Sequence, residues 1–309
     1  MKTIHHISAQ TISWVKSNKE ALDANSDAIS HLYYPETIDE IVGLFNELTK
    51  THESFEIIGH SSNTLFLPSF HIDHLICIRK VNSWQETESQ IICDCGVNVA
   101  QLSRTMVSSG YVGFEGLTDL PGTIAGAVYG NAGCRGCSVN ALVDSIDLLS
   151  VEGVQRISVS ELKLTYRSSA LKRKELDGII LRVFLRKIKG VVEELQKKAE
   201  ENHQHRKEFQ PSGVNNLGTT FNGGRHLTIK GWIFKKTERC IQMLSHNNDT
   251  RKSFPIVLKI YGKSCFVPYV YYWNRYLFKD VRSHELFPKY EQFVKTLYKD
   301  VKLEIEIRK

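Results

Sequence analysis

The chain has 309 residues, a formal net charge of +6 and 41% hydrophobic residues. This length predicts about two domains, each with an apolar core of ordinary size. Because the positive charge is modest and dispersed, it argues against a concentrated nucleic-acid-binding surface and suits a small anionic ligand. No apolar stretch approaches the ~18 residues of a membrane-spanning helix, and the first residues lack the apolar core of a secretion signal. We therefore expect a cytoplasmic protein whose partners include neither nucleic acid nor a membrane.

The seven cysteines form an odd number, which favours reduced thiols over a disulfide framework. Cys134 and Cys137 have the C-x-x-C spacing of redox and metal sites, but no second such pair lies at zinc-ribbon distance. We interpret the two residues as small, buried side chains in a tight loop, and we predict no metal site.

The first elements alternate between strand and helix. HLYYPETIDEIVGLFNELTKTH predicts a strand and then an amphipathic helix, with Thr37 as N-cap and Glu40 completing a capping box. In SFEIIGHSSNTLF a strand ends at Ile58 and a polar turn follows. The segments HLICIRK and QIICDCGV are typical of strands, and VAQLSRTMVSSG predicts a helix that Gly110 ends.

The second half continues this mixed pattern. ALVDSIDLLSVEGVQRISVSELKLTYRSS predicts a strand, a turn at Glu152 and Gly153, a strand, and a short helix before Tyr166. A strand in DGIILRVFLRKI and a charged helix in VVEELQKKAEENHQHRKEF come next, and QPSGVNNLG then interrupts all periodicity as a predicted domain boundary. A helix in ELFPKYEQFVKTLYKD and a last strand in KLEIEIRK complete an α+β pattern.

Residues 113–136, the glycine cluster, contain seven of the chain's 20 glycines. Glycine loses much backbone entropy on folding, so a cluster usually allows bare N–H groups to approach an anionic ligand. A second loop of this type, GHSSN, begins at Gly59, and within the cluster the corresponding segment is PGTIAG, residues 121–126. Neither loop matches the Walker or the dinucleotide fingerprint, and GHSSN alone is more typical of an ordinary turn. Together they predict consecutive N–H donors that hold the pyrophosphate of a dinucleotide from two sides.

The order of these motifs resembles the UDP-N-acetylenolpyruvoylglucosamine reductase family. The first family loop, approximately GGGSNLL, corresponds to GHSSNTL at residues 59–65, and the glycine-rich family motif corresponds to GFEGLTDLPGTIAGAVYGNAGCRG. The family's YR-x-S appears as YRSS at residues 166–169. The resemblance extends from about residue 33 to residue 221, and the glycine cluster is its most specific part.

The resemblance implies an α+β fold in which a two-subdomain FAD-binding region of the vanillyl-alcohol oxidase/PCMH type precedes a substrate domain. The corresponding boundaries are residues 1–80, 81–208 and 209–309. It also implies that FAD and NADPH are the cofactors. The residues that the resemblance assigns to FAD are Gly59, His60, Ser61, Ser62, Asn63, Thr64, Pro121, Gly122, Thr123, Gly126, Ala127, Asn131 and Gly133.

The activity that the resemblance implies is reduction of UDP-N-acetylglucosamine enolpyruvate, a nucleotide sugar, to UDP-N-acetylmuramate by a monomer. Arg167 would stabilise the enolate-like intermediate, although an arginine also commonly pairs with a surface acid. Thr219 occupies the position of the family's proton-donating serine, with a hydroxyl but an added methyl group. Glu306 occupies the position of the terminal catalytic glutamate in LEIEI, where strand alternation predicts that Glu304 shares its face.

Two departures from the family pattern leave the substrate open. The Lys-Asn-Pro that follows the family serine segment is replaced by Asn-Gly-Gly at residues 222–224, and the family's histidine–asparagine segment is absent. An aromatic run, FPIVLKIYGKSCFVPYVYYWNRYLFKD, stands there instead and predicts either apolar core or a wall against a sugar or uracil ring. The alternatives are therefore an FAD enzyme with another substrate, for example in surface-polysaccharide synthesis, and an FAD-binding homologue without turnover.

Overall fold

The computed structural model describes residues 4–5, 28–134, 136–209 and 216–308. The chain forms two compact units. The first contains Ile29–Ser61 and Ile72–Phe209, and the second contains Ser62–His71 and the described residues from 216 onward. The predicted boundary segment QPSGVNNLG lies largely outside the described residues, and the ranges of the three domains stay a prediction.

The first unit begins with a four-stranded sheet. Its strand order is β1-β2-β5-β3, from Ile4–His5 (β1), Ile29–Tyr33 (β2), Phe55–Ile58 (β3) and Ile72–Cys77 (β5). Both β2 and β3 run parallel to β5, so a crossover must connect β2 to β3. That crossover is α1, Ile38–Thr51.

The start of α1 confirms the predicted N-cap. The Thr37 hydroxyl accepts a hydrogen bond from the Glu40 N–H at 3.2 Å. The Glu40 carboxylate accepts from the Glu36 N–H at 2.7 Å rather than from the N–H of Thr37, so the reciprocal half of the predicted capping box is displaced by one residue.

A five-stranded antiparallel sheet forms the rest of the first unit's framework. Its order is β11-β10-β12-β7-β6, from Trp84–Glu86 (β6), Gln90–Asp94 (β7), Val143–Ser150 (β10), Gly153–Ser158 (β11) and Ile179–Arg186 (β12). The helices are Val99–Ser108 (α2), Ile124–Tyr129 (α3) and Val192–Phe209 (α4). A small hairpin pairs β8, Gly133–Cys134, with β9, Cys137–Ser138.

The short helix predicted before Tyr166 is wrong. Residues 159–163 form turns after β11, and Lys163 has a φ of +42°. A left-handed lysine ends any right-handed helical run, so the chain reverses there instead.

Within its described residues, the second unit combines three α-helices with three small strand pairs. The helices are Ile229–Leu244 (α5), Thr250–Ile260 (α6) and Val281–Leu297 (α7). The strand pairs are Thr64–Phe66 (β4) with Glu306–Arg308 (β17), Phe221–Asn222 (β13) with Lys302–Leu303 (β16), and Val270–Tyr272 (β14) with Arg275–Tyr276 (β15). The intermixed helices and sheets of both units confirm the α+β class.

The aromatic run supplies core packing to the second unit. Its rings at Phe254, Phe266, Tyr276 and Phe278 are at most 3% exposed. They belong to the same apolar cluster as the rings of α7. The interpretation of this segment as apolar core is therefore confirmed for these four side chains. Within the described ranges, none of the helices combines the length and the apolar character that crossing a bilayer requires.

Candidate functional site

The loop before α3 is fastened to the first unit's framework through its main chain. The N–H groups of Ile124 and Ala125 donate to carbonyls within residues 95–97 at 2.8 and 3.1 Å. Thr123 is the N-cap of α3, and its hydroxyl accepts from the N–H of Gly126 at 3.3 Å. The expectation of a row of free N–H donors is therefore wrong for residues 124–126, because the fold itself uses these groups.

One face of α3 nevertheless presents bare backbone. Gly126 is exposed although the residues on either side of it are buried, and Pro121 is exposed at the start of the loop. A Cβ added at Gly126 would meet only the Thr123 hydroxyl, at 3.2 Å. Gly122 has a φ of +126°, which only glycine adopts readily. These features fit a ligand that lies directly against the main chain, whereas Ala127 is buried and contributes to the core.

The two predicted phosphate loops touch at Gly59. A Cβ added there would lie 2.4 Å from the Thr123 hydroxyl oxygen, so the contact requires glycine. Ser61, two residues later, is left-handed with a φ of +46°. The structure thus brings Gly59 and Thr123 together in the first unit, whereas Ser62, Asn63 and Thr64 belong to the second.

His60 is a half-buried histidine next to this contact. Burial lowers the pKa of its imidazole below the ordinary 6.5, and the positive charge of Arg79 lowers it further. The folded protein therefore favours the neutral ring. The loop carries no positive charge at His60 near neutral pH.

We expect this histidine to make the protein less stable in mild acid. Because its folded pKa lies below 6.5, the unfolded chain binds more protons in the interval between the two values. The free energy of unfolding should therefore fall as the pH drops through 6.5 towards the folded pKa. Urea unfolding from about pH 8 to about pH 5 measures this slope, which should flatten in His60→Gln. Equal slopes in both proteins would contradict the prediction.

Arg167 is anchored to the glycine cluster. Its guanidinium donates to the Gly133 carbonyl at 2.7 Å and to the Asn131 carbonyl at 3.4 Å, and it lies 5.3 Å from the centre of the Tyr166 ring. Its own φ is +54°, an uncommon conformation for arginine. Both contacts are with carbonyl oxygens, which orient the guanidinium.

The turn that carries Arg167 is joined to the same cluster by two further contacts. The Asn131 side-chain amide donates to the Thr165 carbonyl at 2.7 Å, and its oxygen accepts from the N–H of Asn140 at 3.2 Å. The Ser169 hydroxyl donates to the Tyr129 carbonyl at 2.7 Å. Asn131, predicted as a cofactor residue, thus acts within the fold to position the arginine turn. Sequence reasoning missed Ser169 in this role, and only its place in YRSS pointed to it.

In the second unit three separated segments meet around Asn63. The N–H of Glu304 donates to the Thr220 carbonyl at 3.0 Å, and the Asn63 side-chain amide donates to the Glu304 carbonyl at 3.1 Å. The N–H of Glu306 donates to the Asn63 carbonyl at 2.8 Å. Thr219, beside Thr220, is half-buried, and no described residue hydrogen-bonds to its hydroxyl. The predicted residues Asn63, Thr219 and Glu306 therefore lie on adjacent segments.

The expectation that LEIEI forms one continuous strand is wrong. β16 ends at Leu303 and pairs with β13, whereas β17 begins at Glu306 and pairs with β4. Buried Ile305 lies at the bend between them. Because each half pairs with a different strand, simple alternation does not place Glu304 and Glu306 on one face.

Comparison with known proteins agrees with this architecture. Residues 29–157 match the family model described as "FAD binding domain". The chain is 30% identical over 210 residues to the UDP-N-acetylenolpyruvoylglucosamine reductase of Gloeobacter violaceus, covering 65% of this chain and 67% of the relative. It is 29% identical over 191 residues to that of Caldanaerobacter subterraneus, covering 62% and 63%. With the second relative, the match spans less than two thirds of that protein's length.

The overall fold also has a solved counterpart. The crystal structure of UDP-N-acetylenolpyruvylglucosamine reductase from Thermus caldophilus has a TM-score of 0.63 and covers 90% of this chain and 92% of its own. Its sequence identity is 18%, so this likeness concerns the fold. The predicted FAD-binding fold with a C-terminal unit is confirmed.

Proposed function

We propose that this chain, which belongs to the UDP-N-acetylenolpyruvoylglucosamine reductase family, reduces UDP-N-acetylglucosamine enolpyruvate to UDP-N-acetylmuramate with FAD and NADPH. The observation that carries the proposal is the glycine cluster, whose exposed backbone at Gly126 and anchored Arg167 occur together in one unit. The product would serve peptidoglycan precursor synthesis, and hence cell shape and division. We further propose that the enzyme acts in the cytoplasm as a monomer.

The residues present fit FAD. Exposed Gly126 leaves the main chain of the second loop open to a close approach, and Gly59 lets Thr123 pack against the first loop and join the two. We assign Gly59–Thr64 and Pro121–Gly126 to its diphosphate and ring system. When bound, FAD supplies hydride transfer from NADPH to the substrate alkene.

Arg167 is assigned to the substrate carboxylate. Addition of hydride to the alkene leaves an enolate-like charge next to that carboxylate, and a fixed guanidinium stabilises the charge as it develops. The two carbonyl contacts of Arg167 fix the guanidinium before substrate arrives, so little reorganisation is needed.

Thr219 and Glu306 are assigned to proton transfer at the substrate. The Thr219 hydroxyl, which no described residue hydrogen-bonds, is the group that delivers a proton to the substrate carbon. We assign the Glu306 carboxyl group to the position beside the enolate oxygen. The main-chain contacts through Asn63 and Glu304 support this assignment because they hold the two segments side by side.

A second candidate is a flavin-dependent reductase of the same fold with another substrate. At Gly223 an added Cβ would lie 2.3 Å from the Asp300 carbonyl oxygen, and at Gly224 it would lie 2.6 Å from the Trp273 ring. Both glycines also have positive φ values, 89° and 80°. The chain is therefore packed without side chains at the two positions where the resembled family has asparagine and proline, which favours an altered substrate fit.

Anaerobic stopped-flow absorbance separates the two candidates. The purified protein should be yellow and should retain its flavin through gel filtration. After reduction by NADPH, UDP-N-acetylglucosamine enolpyruvate should rapidly restore the oxidised flavin spectrum. Rapid reduction without reoxidation by this substrate would favour the second candidate, and a colourless protein that cannot be reconstituted would contradict both.

Replacing Thr219 tests the proton donor. We expect Thr219→Ser to keep or raise turnover, because it keeps the hydroxyl and removes the methyl group. Thr219→Val keeps the branched shape without the hydroxyl and should lower the rate of flavin reoxidation by about 10²-fold or more. Stopped-flow traces of the two variants give the comparison. Equal rates in Thr219→Val and the unaltered protein would remove Thr219 from the mechanism.

A further inference from the structure

Two cysteines face each other across the paired strands β8, Gly133–Cys134, and β9, Cys137–Ser138, which we name the cysteine hairpin. Its register pairs Gly133 with Ser138 and Cys134 with Cys137. Directly opposed residues of an antiparallel pair have Cα atoms about 4.5–5.5 Å apart. A disulfide spans Cα separations of about 4.4–6.8 Å. The pairing register of the two cysteines is therefore compatible with the Cα separation of a disulfide.

The exposure of the pair corrects the interpretation of two buried residues. Cys134 and Cys137 are both half-exposed free thiols. In contrast, Cys77, Cys93 and Cys95 are buried, and burial raises the pKa of each of these thiols to about 12. Such buried thiols are poor nucleophiles at neutral pH, whereas a half-exposed pair is accessible to reagents in solution.

The environment assigns different roles to the two sulfurs. A Cβ added at Gly116 would lie 2.5 Å from the Cys137 Cβ and 2.8 Å from its Sγ, so Cys137 packs directly on the glycine cluster. Burial, with smaller contributions from Glu115 and Cys134, raises the pKa of the Cys137 thiol. Because Cys137 packs on the glycine cluster, we assign the first attack to Cys134 and the closing of the bond to Cys137.

A metal site is the other common use of this spacing. A structural zinc site normally takes four ligands. Among the described residues, no group of three or more cysteine, histidine, aspartate or glutamate side chains is arranged to hold a metal ion. The geometry of the hairpin thus favours thiol chemistry.

The cysteine hairpin is also connected to the arginine turn. Arg167 donates its 2.7 Å hydrogen bond to the carbonyl of Gly133, the residue directly before Cys134. The peptide unit that follows Gly133 contains both that carbonyl and the nitrogen of Cys134. Drawing the Cys134 side chain towards Cys137 therefore acts on the peptide that holds the guanidinium.

We propose that Cys134 and Cys137 form a reversible dithiol–disulfide site and that closing the disulfide weakens the anchoring of Arg167. The second part rests on the proposed function. With a disulfide oxidant such as oxidised glutathione, the Cys134 thiolate attacks one sulfur and releases one glutathione thiol. The Cys137 thiol then displaces the second glutathione, so the protein loses two hydrogens and two electrons while the oxidant gains them.

Bond formation is tested by alkylation and peptide mass spectrometry of the purified holoenzyme, with or without oxidised glutathione. We expect the peptide that contains both residues to escape alkylation after oxidation and to regain two labels after treatment with dithiothreitol. Cys134→Ser and Cys137→Ser should each abolish this protection, and Cys240→Ser, which alters an exposed thiol in the other unit, should not. Full alkylation of both cysteines after oxidation would overturn the dithiol site.

Coupling to Arg167 is tested first without substrate, by hydrogen exchange. The turn amides of Thr165 and Ser168 hydrogen-bond to each other's carbonyls at 3.0 and 3.1 Å. They should exchange faster in the oxidised protein than in the reduced protein. Unchanged exchange with a fully formed disulfide would overturn the coupling.

The second readout of the coupling is flavin reoxidation by UDP-N-acetylglucosamine enolpyruvate. Oxidised protein should be about tenfold or more slower than reduced protein, and Cys134→Ser should show no such difference. Equal rates in the unaltered protein would overturn the inhibitory effect. If neither redox state is reoxidised, the proposed function fails, while alkylation and exchange still decide the disulfide and its coupling.

Discussion

Arg167→Ala is expected to slow oxidation of the reduced flavin by UDP-N-acetylglucosamine enolpyruvate by about 10²–10³-fold. The substitution removes the positive charge that the carbonyls of Asn131 and Gly133 hold in place. Flavin reduction by NADPH should be unchanged, because that step develops no charge on the substrate carboxylate. Anaerobic stopped-flow absorbance at the flavin band measures the two half-reactions separately.

Two further variants make this result specific. Arg167→Lys keeps the positive charge but loses the guanidinium that donates to two carbonyls. Its rate of flavin reoxidation should therefore lie between the rates of Arg167→Ala and the unaltered protein. Arg182→Ala removes a partly exposed arginine that pairs with Asp94, and it should leave both half-reactions unchanged. Circular dichroism should confirm that each variant is folded. Equal losses in both half-reactions of Arg167→Ala would show that Arg167 has another role.

Glu306→Gln is expected to lower the same reoxidation rate by about 10²–10⁴-fold, the usual contribution of a general acid. Glutamine preserves the size of the side chain but cannot give up a proton. The main-chain hydrogen bond from Glu306 to the Asn63 carbonyl does not involve the side chain and is kept in this variant. Stopped-flow absorbance again gives the rate, and thermal unfolding reports stability.

Glu304→Gln is the matched control. Glu304 lies two residues away, is also half-buried, and contacts Asn63 and Thr220 through its main chain. Because the bend at Ile305 separates the two glutamates, their side chains need not share a face. We expect Glu304→Gln to retain reoxidation. A larger loss in Glu304→Gln than in Glu306→Gln would exchange their assignments.

Local sequence patterns correctly predicted helix starts and ends where the contacts involve neighbouring residues. Thr37 lies three residues before Glu40, and that spacing alone predicts the hydrogen bond that begins α1. Gly110, with a φ of +77°, follows α2 as its pattern predicts. In contrast, nothing in the sequence predicted the left-handed backbone conformation of Lys163, and the helix predicted there is absent.

Contacts between distant segments could not be predicted in this way. Strand alternation placed Glu304 and Glu306 on one face, but pairing of β16 and β17 with different strands breaks the segment between them. Residue spacing likewise did not predict that the N–H groups of Ile124 and Ala125 donate hydrogen bonds to carbonyls within residues 95–97. The half-exposed cysteine pair was misjudged because exposure depends on what packs against the loop.

The sequence by itself determined the α+β class, the FAD-binding fold and the two loops that form its candidate cofactor site. Glycine spacing carries this information because a loop that needs main chain without side chains must have glycine at those positions. Only the tertiary structure decided which backbone groups remain exposed, which carbonyls hold Arg167, and which segments meet at Asn63. These depend on pairing between residues that are far apart in the chain, such as Asn63 and Glu304, which are 241 positions apart. No local propensity encodes such a distance.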